Sequence, residues 1–279
     1  GGGVGSIRAS GDAPAARVLP AGEGFVLIAG DGRVRWHDRS GRLLHGLDLG
    51  REAIAADADP AGRRLALALA GGGIRVLDGT SGQRRADLLG LVVSDALVLA
   101  EGGNAIVLAT PTAIRVVAIG QGGGTRSEEV AGVIALAAGH EQGWLAAARA
   151  GGGIVLSGAA GSRTLATPAP ATRLIASGDG RTLVAACGTL VLAWKLPGTA
   201  APTRLEIGSP VRVMAIDRSG SLLAVAGGDG AVEVWDMDVR IPSVRLPAGS
   251  PRAIGLAWSP DGRTLAVLRA DGTCELRGE

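Results

Sequence analysis

The segment Asp229-Gly230-Ala231-Val232-Glu233-Val234-Trp235-Asp236 decides the fold, because it joins a tight turn to an alternating strand and recurs along the chain. Asp-Gly is a turn signal, and apolar residues at every second position indicate a half-buried β-strand. The first apolar residues of the seven related segments are Val34, Ile74, Ile114, Ile154, Leu190, Val232 and Cys274. Their spacing of 36 to 42 residues predicts seven repeats that fill the chain.

A second series of turns lies upstream of these segments and supports the same period. It includes Asp59-Pro60-Ala61-Gly62, Asp217-Arg218-Ser219-Gly220 and Ser259-Pro260-Asp261-Gly262. Glycine suits the last position because a tight hairpin needs a residue that accepts positive φ. Strands flank each turn, and a further strand such as Leu205 to Ile207 precedes them. Each repeat is therefore predicted to form four short antiparallel strands.

Four-stranded units at this period are typical of the blades of a β-propeller. The 47 glycines argue against a helical solenoid, because each glycine inside a helix costs about 1 kcal/mol relative to alanine. We therefore predict an all-β, seven-bladed β-propeller with four antiparallel strands per blade, forming a single domain over residues 1–279. The predicted blades are approximately 1–39, 40–79, 80–120, 121–158, 159–196, 197–238 and 239–279.

The two ends of the chain carry a prediction about how the ring closes. Val4 to Ala9 is assigned to the inner strand of the first unit, and Cys274 to Leu276 ends the last unit. Every blade then consists of consecutive sequence. Closure of the ring is expected to depend on packing between the first and last blades, without an N-terminal strand in the last blade.

The repeats resemble those of the WD-repeat family of β-propellers. Val234-Trp235-Asp236 after Asp229-Gly230 is similar to the end of a WD repeat, and residues 256–266 are similar to its middle. Looser matches occur at Leu77-Asp78 and Trp36-His37-Asp38. No repeat of this chain begins with the Gly-His dipeptide that begins many repeats of the family, so the buried polar network of the family cannot form as a set. The resemblance implies a protein that binds proteins or peptides.

Composition and charge disfavour several other classes of function. The net charge is +2 and no run of five like charges occurs, so no specific nucleic-acid partner is predicted. No uncharged apolar stretch approaches the roughly 20 residues of a membrane-spanning helix. Cys187 and Cys274 are predicted to be buried apolar residues. His37, His45 and His140 lack metal-ligand spacing. We predict no cofactor, metal, catalytic residue or small-molecule substrate.

The source and compartment are constrained only by composition and by the first residues. Lys195 is the only lysine among 28 basic residues, a bias typical of a GC-rich bacterium. The lack of a signal peptide favours the cytoplasm. The start at Gly1 without an initiator Met leaves the periplasm open.

The loops of a four-stranded blade fall on two opposite faces, and their charges differ. We call one of them the turn face: it carries the hairpins in the middle of each unit and the links from one unit to the next. Its candidate partner-binding residues are Arg39, Arg42, Arg63, Arg84, Arg85, Arg126, Arg163, Arg181, Arg218, Arg240 and Arg263. Arginine is enriched at interfaces because its guanidinium makes bidentate contacts and stacks. The turn face is therefore a candidate docking surface for a protein, although charged turns also serve solubility alone.

Two other functional classes stay open at this stage. A propeller enzyme, such as a metal-dependent lactonase or a quinoprotein dehydrogenase, would carry polar ligands around the central channel. The nearest candidates for such ligands are Glu128, Glu129 and Glu206. The other class is a purely structural subunit without a peptide groove. Fold alone does not decide between these classes.

Overall fold

The computed structural model describes residues 4–8, 15–91, 97–110, 112–120, 124–159, 161–198, 200–247 and 251–278. These residues form 28 β-strands, arranged as seven antiparallel sheets of four strands each. The innermost strands of successive sheets contact one another around a closed ring, in which the seventh sheet returns to the first. The predicted all-β, seven-bladed propeller is therefore confirmed.

The strands are given from the axis outwards in each blade. Blade 1 contains β2 (Ala15–Ala21), β3 (Gly24–Ala29), β4 (Arg33–His37) and β5 (Leu43–Asp48). Blade 2 contains β6 (Ala53–Ala58), β7 (Arg64–Leu69), β8 (Ile74–Asp78) and β9 (Arg84–Leu88). Blade 3 contains β10 (Leu97–Ala100), β11 (Ala105–Ala109), β12 (Ile114–Ala118) and β13 (Thr125–Glu128). Blade 4 contains β14 (Val133–Gly139), β15 (Trp144–Arg149), β16 (Ile154–Gly158) and β17 (Gly161–Leu165).

The remaining blades follow the same scheme, except that the last blade takes its outermost strand from the other end of the chain. Blade 5 contains β18 (Arg173–Ala176), β19 (Thr182–Cys187), β20 (Leu190–Lys195) and β21 (Thr203–Glu206). Blade 6 contains β22 (Val211–Ile216), β23 (Leu222–Gly227), β24 (Val232–Asp236) and β25 (Ile241–Leu246). Blade 7 contains β26 (Ala253–Trp258), β27 (Thr264–Arg269), β28 (Thr273–Gly278) and β1 (Val4–Arg8).

The prediction about ring closure is wrong. Strand β1 is the outermost strand of blade 7 and pairs antiparallel with β28, from Val4 opposite Arg277 to Arg8 opposite Thr273. The innermost place in blade 1 belongs to β2 instead. Without β1, the edge of β28 would expose unpaired N–H and C=O groups, which the N-terminal strand satisfies. Ala9, the last residue of the predicted strand, lies outside the described residues.

The predicted repeat units are displaced from the observed sheets by one strand. The predicted unit 40–79, for example, contains β5 of blade 1 followed by β6, β7 and β8 of blade 2. The anchor segments are the third strand of each sheet rather than the outermost one. The true outermost strands are short and mostly exposed, so their sequence carries little apolar pattern. The repeat therefore reveals its period but not its starting point.

The hydrophobic core is divided into seven clusters, one in each interface between neighbouring blades. Between blades 1 and 2, for instance, Ile28 and Trp36 pack with Leu65 and Leu77. Each blade thus buries both faces of its sheet, as expected for units that cannot form a core alone. Cys187 and Cys274 are buried in two of these clusters, which confirms their predicted apolar role.

Candidate functional site on the turn face

The sheet topology brings the predicted arginines to one side of the propeller. The turn face is formed by the loops that join the innermost to the second strand and the third to the outermost strand. These are the same loops that the displaced repeat units had assigned to it. Arg63, Arg181, Arg218 and Arg263 lie between the innermost and second strands of blades 2, 5, 6 and 7. Arg39, Arg42 and Arg240 lie between the third and outermost strands.

Four of the predicted arginines lie in strands, close to this face rather than in its loops. Arg84 and Arg85 begin β9, Arg126 is the second residue of β13, and Arg163 is the third residue of β17. All four are among the first three residues of an outermost strand, and these strands begin at the turn face. Their side chains therefore belong to the rim of the turn face.

Aspartates build the loops from which the arginines project. The Asp38 carboxylate accepts hydrogen bonds from the backbone N–H groups of Ser40 and Arg42, at 2.9 and 3.0 Å. Hydrogen bonding by the Ser40 hydroxyl and these N–H groups lowers the pKa of Asp38. The Arg85 guanidinium, 2.7 Å from Asp78, holds the pKa of that carboxyl well below its usual range. The carboxyl groups of Asp38 and Asp78 are therefore ionised at neutral pH.

Most of the predicted arginines pair with these and other acidic residues. The pairs are Arg39–Asp261, Arg42–Asp38 at 3.2 Å, Arg63–Asp59 at 3.3 Å, Arg84–Asp87 at 3.1 Å, Arg85–Asp78 at 2.7 Å, Arg126–Glu101 at 3.4 Å and Arg218–Glu141 at 2.9 Å. Arg163 donates a 2.8 Å hydrogen bond to the carbonyl oxygen of Gly198. Among the described residues, no ion pair is formed by Arg181, Arg240 or Arg263, which are exposed. The turn face therefore carries positively and negatively charged side chains side by side.

A groove on the turn face combines charged and apolar groups. It lies where blades 1, 2 and 7 meet, has a volume of about 880 Å³, and is lined by residues that include Trp36, Arg39, Arg42, Leu44 and Thr80. Leu44 is 51% exposed and its neighbour Leu43 is 53% exposed. Sequence reasoning missed these leucines, because the alternation of a strand does not show which residues an outermost strand leaves uncovered.

The residues proposed for an enzyme site do not meet at the channel. Glu128 ends β13 and Glu206 ends β21, both outermost strands, and Glu129 follows β13. All three side chains are exposed. The innermost strands carry a different carboxyl at the axis, that of Asp57 in β6. Within the described residues, no three or more His, Cys, Asp or Glu side chains are grouped so that they could hold a metal ion.

Comparison with known proteins agrees with this architecture. The β-propeller domain of Myceliophteria thermophila Cps50 (Swd1) superimposes with a TM-score of 0.81 over 99% of both chains, at 14% sequence identity. This chain is thus a seven-bladed β-propeller. Residues 204–236 match the family model of the WD domain, G-beta repeat. The repeat formed by β21 to β24 therefore resembles a WD repeat.

Curated relatives share shorter segments with the chain. Transducin beta-like protein 3 of Bos taurus is 36% identical over 105 residues, which is 36% of this chain and 13% of that protein. Ribosome assembly protein 4 of Chaetomium thermophilum is 35% identical over 74 residues, 26% of this chain and 13% of that protein. Coronin-7 of Bos taurus is 39% identical over 54 residues, 19% of this chain and 6% of that protein. The match therefore covers 13% or less of these relatives. None of the described residues forms a helix that is long and apolar enough to span a membrane.

Proposed function

We propose that this propeller is a non-catalytic scaffold, or a subunit of a complex, that binds a partner protein through its turn face. The observation that carries the proposal is the gathering of exposed arginines beside the groove that also exposes Leu44. Guanidinium groups recognise carboxylates bidentately, and partly apolar grooves supply area for burial. One of the relatives, Ribosome assembly protein 4, is named for a role in assembly, and this supports a role of the same class for the present chain.

The ion pairs of the turn face do not prevent docking. Exposed pairs contribute at most about 1 kcal/mol, so a partner carboxylate can replace the intramolecular one at little cost. Arg42 and Arg84 keep about three-quarters and two-thirds of their side-chain surface exposed, respectively 76% and 68%, while paired. The partner we expect is therefore a protein that presents acidic residues around an apolar contact.

The test is charge reversal in the sector of blades 1 and 2. Arg39, Arg42, Arg84 and Arg85 are changed together to Glu, and the matched control changes the exposed Arg51, Arg115, Arg212 and Arg252, which lie away from the turn face, in the same way. A partner is first identified by cross-linking and mass spectrometry of the purified protein in extract, and its Kd is then measured with purified components. We expect binding at least tenfold weaker in the turn-face variant and within about twofold of wild type in the control. An unchanged Kd, or cross-links confined to the opposite face, would refute the proposal.

A further inference from the structure

The innermost strands enclose a chamber on the axis of the ring. Its volume is about 210 Å³. Its wall is mainly aliphatic and includes Leu19, Val98, Leu136, Leu174, Met214 and Leu256. An apolar cavity of about 150 Å³ in another protein holds benzene, so this chamber has room for a small ring or a short alkyl body.

One carboxyl interrupts this apolar wall. Asp57 lies opposite Ala66 in the pairing of β6 with β7. The other six blades carry apolar residues at the equivalent position, namely Leu19, Val98, Ala137, Ile175, Ala215 and Ala257. An acidic residue at one of seven equivalent positions of the innermost strands is not required by the architecture. Its presence therefore points to a local role.

The Asp57 carboxylate has hydrogen bonds but no positive partner among the described residues. One oxygen accepts a 2.7 Å hydrogen bond from the backbone N–H of Leu99 in the next blade. Burial, together with the negative charge of nearby Asp59, raises the pKa of Asp57 to about 7. Asp59 itself pairs with Arg63. An ionised carboxylate in an apolar chamber favours a cation that enters and neutralises it.

The chamber is closed at the turn face. The loops of blades 2, 5 and 6 meet there, so that a methyl group at Gly178 would lie 2.9 Å from Cβ of Pro60 and 2.7 Å from Cγ of Arg218. Arg218 also reaches across to Glu141, at 2.9 Å. The guanidinium group of Arg218 therefore pairs with Glu141, although the Arg218 side chain lines the closed, turn-face end of the chamber, which we call its floor.

The other end of the channel offers a route of entry. A second cavity of about 440 Å³ opens at the opposite face and shares Val98, Leu136 and Leu174 with the wall of the chamber. A further polar group lies near the floor: His140 lines the chamber, and its buried Nδ1 has no hydrogen-bond partner among the described residues. Burial lowers the pKa of His140, so its ring is neutral at pH 7 and above.

We propose that this chamber binds a small protonated amine with an apolar body, whose ammonium group pairs with the carboxylate of Asp57. The aliphatic wall contacts the body of the ligand, and the closed floor determines its maximum length. A neutral ligand of the same shape gains only the apolar contact. The site is independent of the proposed docking on the turn face, since its entrance is at the opposite face.

The probe is benzylamine, with benzyl alcohol as the neutral analogue of the same shape. Binding to the whole chain is measured by calorimetry at pH 8, where Asp57 is ionised. We expect saturable binding of benzylamine that is about tenfold weaker in Asp57→Asn, because the charge-assisted hydrogen bond is lost. Asn retains an oxygen to accept the Leu99 N–H bond, so the fold should persist. Benzyl alcohol should bind both forms equally.

A second measurement uses the wild-type protein alone. At pH 5.5 Asp57 takes up a proton. The other titratable or charged groups around it are His140, whose pKa burial lowers, Asp59, and Arg218 with its partner Glu141. Benzylamine binding should then weaken by about tenfold and benzyl alcohol binding should not change. The amide resonance of Leu99 should shift on titration with benzylamine. Absence of saturable binding at pH 8, or equal binding of benzylamine by wild type and Asp57→Asn, would overturn the proposal.

Discussion

The indole Nε1 of Trp36 in blade 1 donates a 2.8 Å hydrogen bond to the carbonyl oxygen of Gly79 in blade 2. Trp36 is almost completely buried and its ring stacks on His45, with ring centroids 4.6 Å apart. One side chain thus joins a polar contact to the apolar interface between two blades. Neighbouring blades are held by such contacts as well as by their shared clusters.

Replacing this residue tests how strongly one interface contributes to stability. Trp36→Phe should lower the free energy of unfolding by about 2–4 kcal/mol, since it leaves a cavity and an unpaired buried carbonyl. The control is Trp235→Phe, at the corresponding strand of blade 6, where the ring is only half-buried and Nε1 donates to Glu233 of its own strand. Urea denaturation of both variants gives the comparison. Equal losses in the two variants would contradict the role of the Gly79 contact.

Ring closure by the N-terminal strand gives a second prediction. Ile7 of β1 is buried with Cys274 and Leu276 in the cluster between blades 7 and 1. Ile7→Asp should destabilise the protein by about 3 kcal/mol or more, because it removes apolar burial and places a charge in the core. Ser6→Asn, at the exposed neighbouring position, should change the stability by less than about 0.5 kcal/mol.

Chemical denaturation and hydrogen exchange of the β28 amides would check this prediction. In Ile7→Asp, the exchange of the β28 amides that pair with β1 should accelerate by a larger factor than that of the β20 amides. Unchanged protection of β28 would mean that β1 contributes little to closing the ring.

The sequence alone predicted the number of blades, the strands per blade and the period, because turns and alternation repeat seven times. It did not predict the start of the blade. The outermost strands are short and mostly exposed, and in β13 every residue is exposed, so no apolar pattern marks them as an edge. Nor could the period show that Val4 to Arg8 completes blade 7, because pairing between chain ends is a long-range contact.

The sequence predicted which charged residues lie on the turn face, but it did not predict which of them form ion pairs. Arginines and aspartates of different loops were placed on one face by topology, yet pairs such as Arg39 with Asp261 join residues far apart in sequence. The carboxyl on the axis was missed for a related reason. Asp57 stands out only when the seven innermost strands are aligned in register, and this register follows from the strand pairing in the structure.

The raised pKa of Asp57 predicts a particular dependence of stability on pH. The folded protein holds the proton up to about pH 7, whereas the unfolded chain releases it near the ordinary carboxyl value of 3.8. The folded state therefore binds more protons between these values, and the contribution of Asp57 to stability falls as the pH rises through that window. The slope is at most about 1.4 kcal/mol per pH unit, and it vanishes above pH 7.

Asp57→Asn isolates this contribution. The difference in unfolding free energy between the variant and wild type should move in favour of the variant by a few kcal/mol from pH 4 to pH 7, and then stay constant. Urea titrations at intervals of half a pH unit measure it. A difference that does not depend on pH would show that the carboxyl titrates at its ordinary value in the folded protein.

The closed floor of the channel gives the last prediction. Gly178 has no room for a side chain, since a methyl group there would lie within 3 Å of both Pro60 and Arg218. Gly178→Ala should therefore cost about 1–3 kcal/mol by overpacking the contact between loops on opposite sides of the axis. Gly30→Ala is the matched control, because Gly30 has no atom within 4 Å of the added methyl. If the two variants are equally stable in thermal and urea unfolding, the loops do not meet across the axis and the chamber is open at both ends.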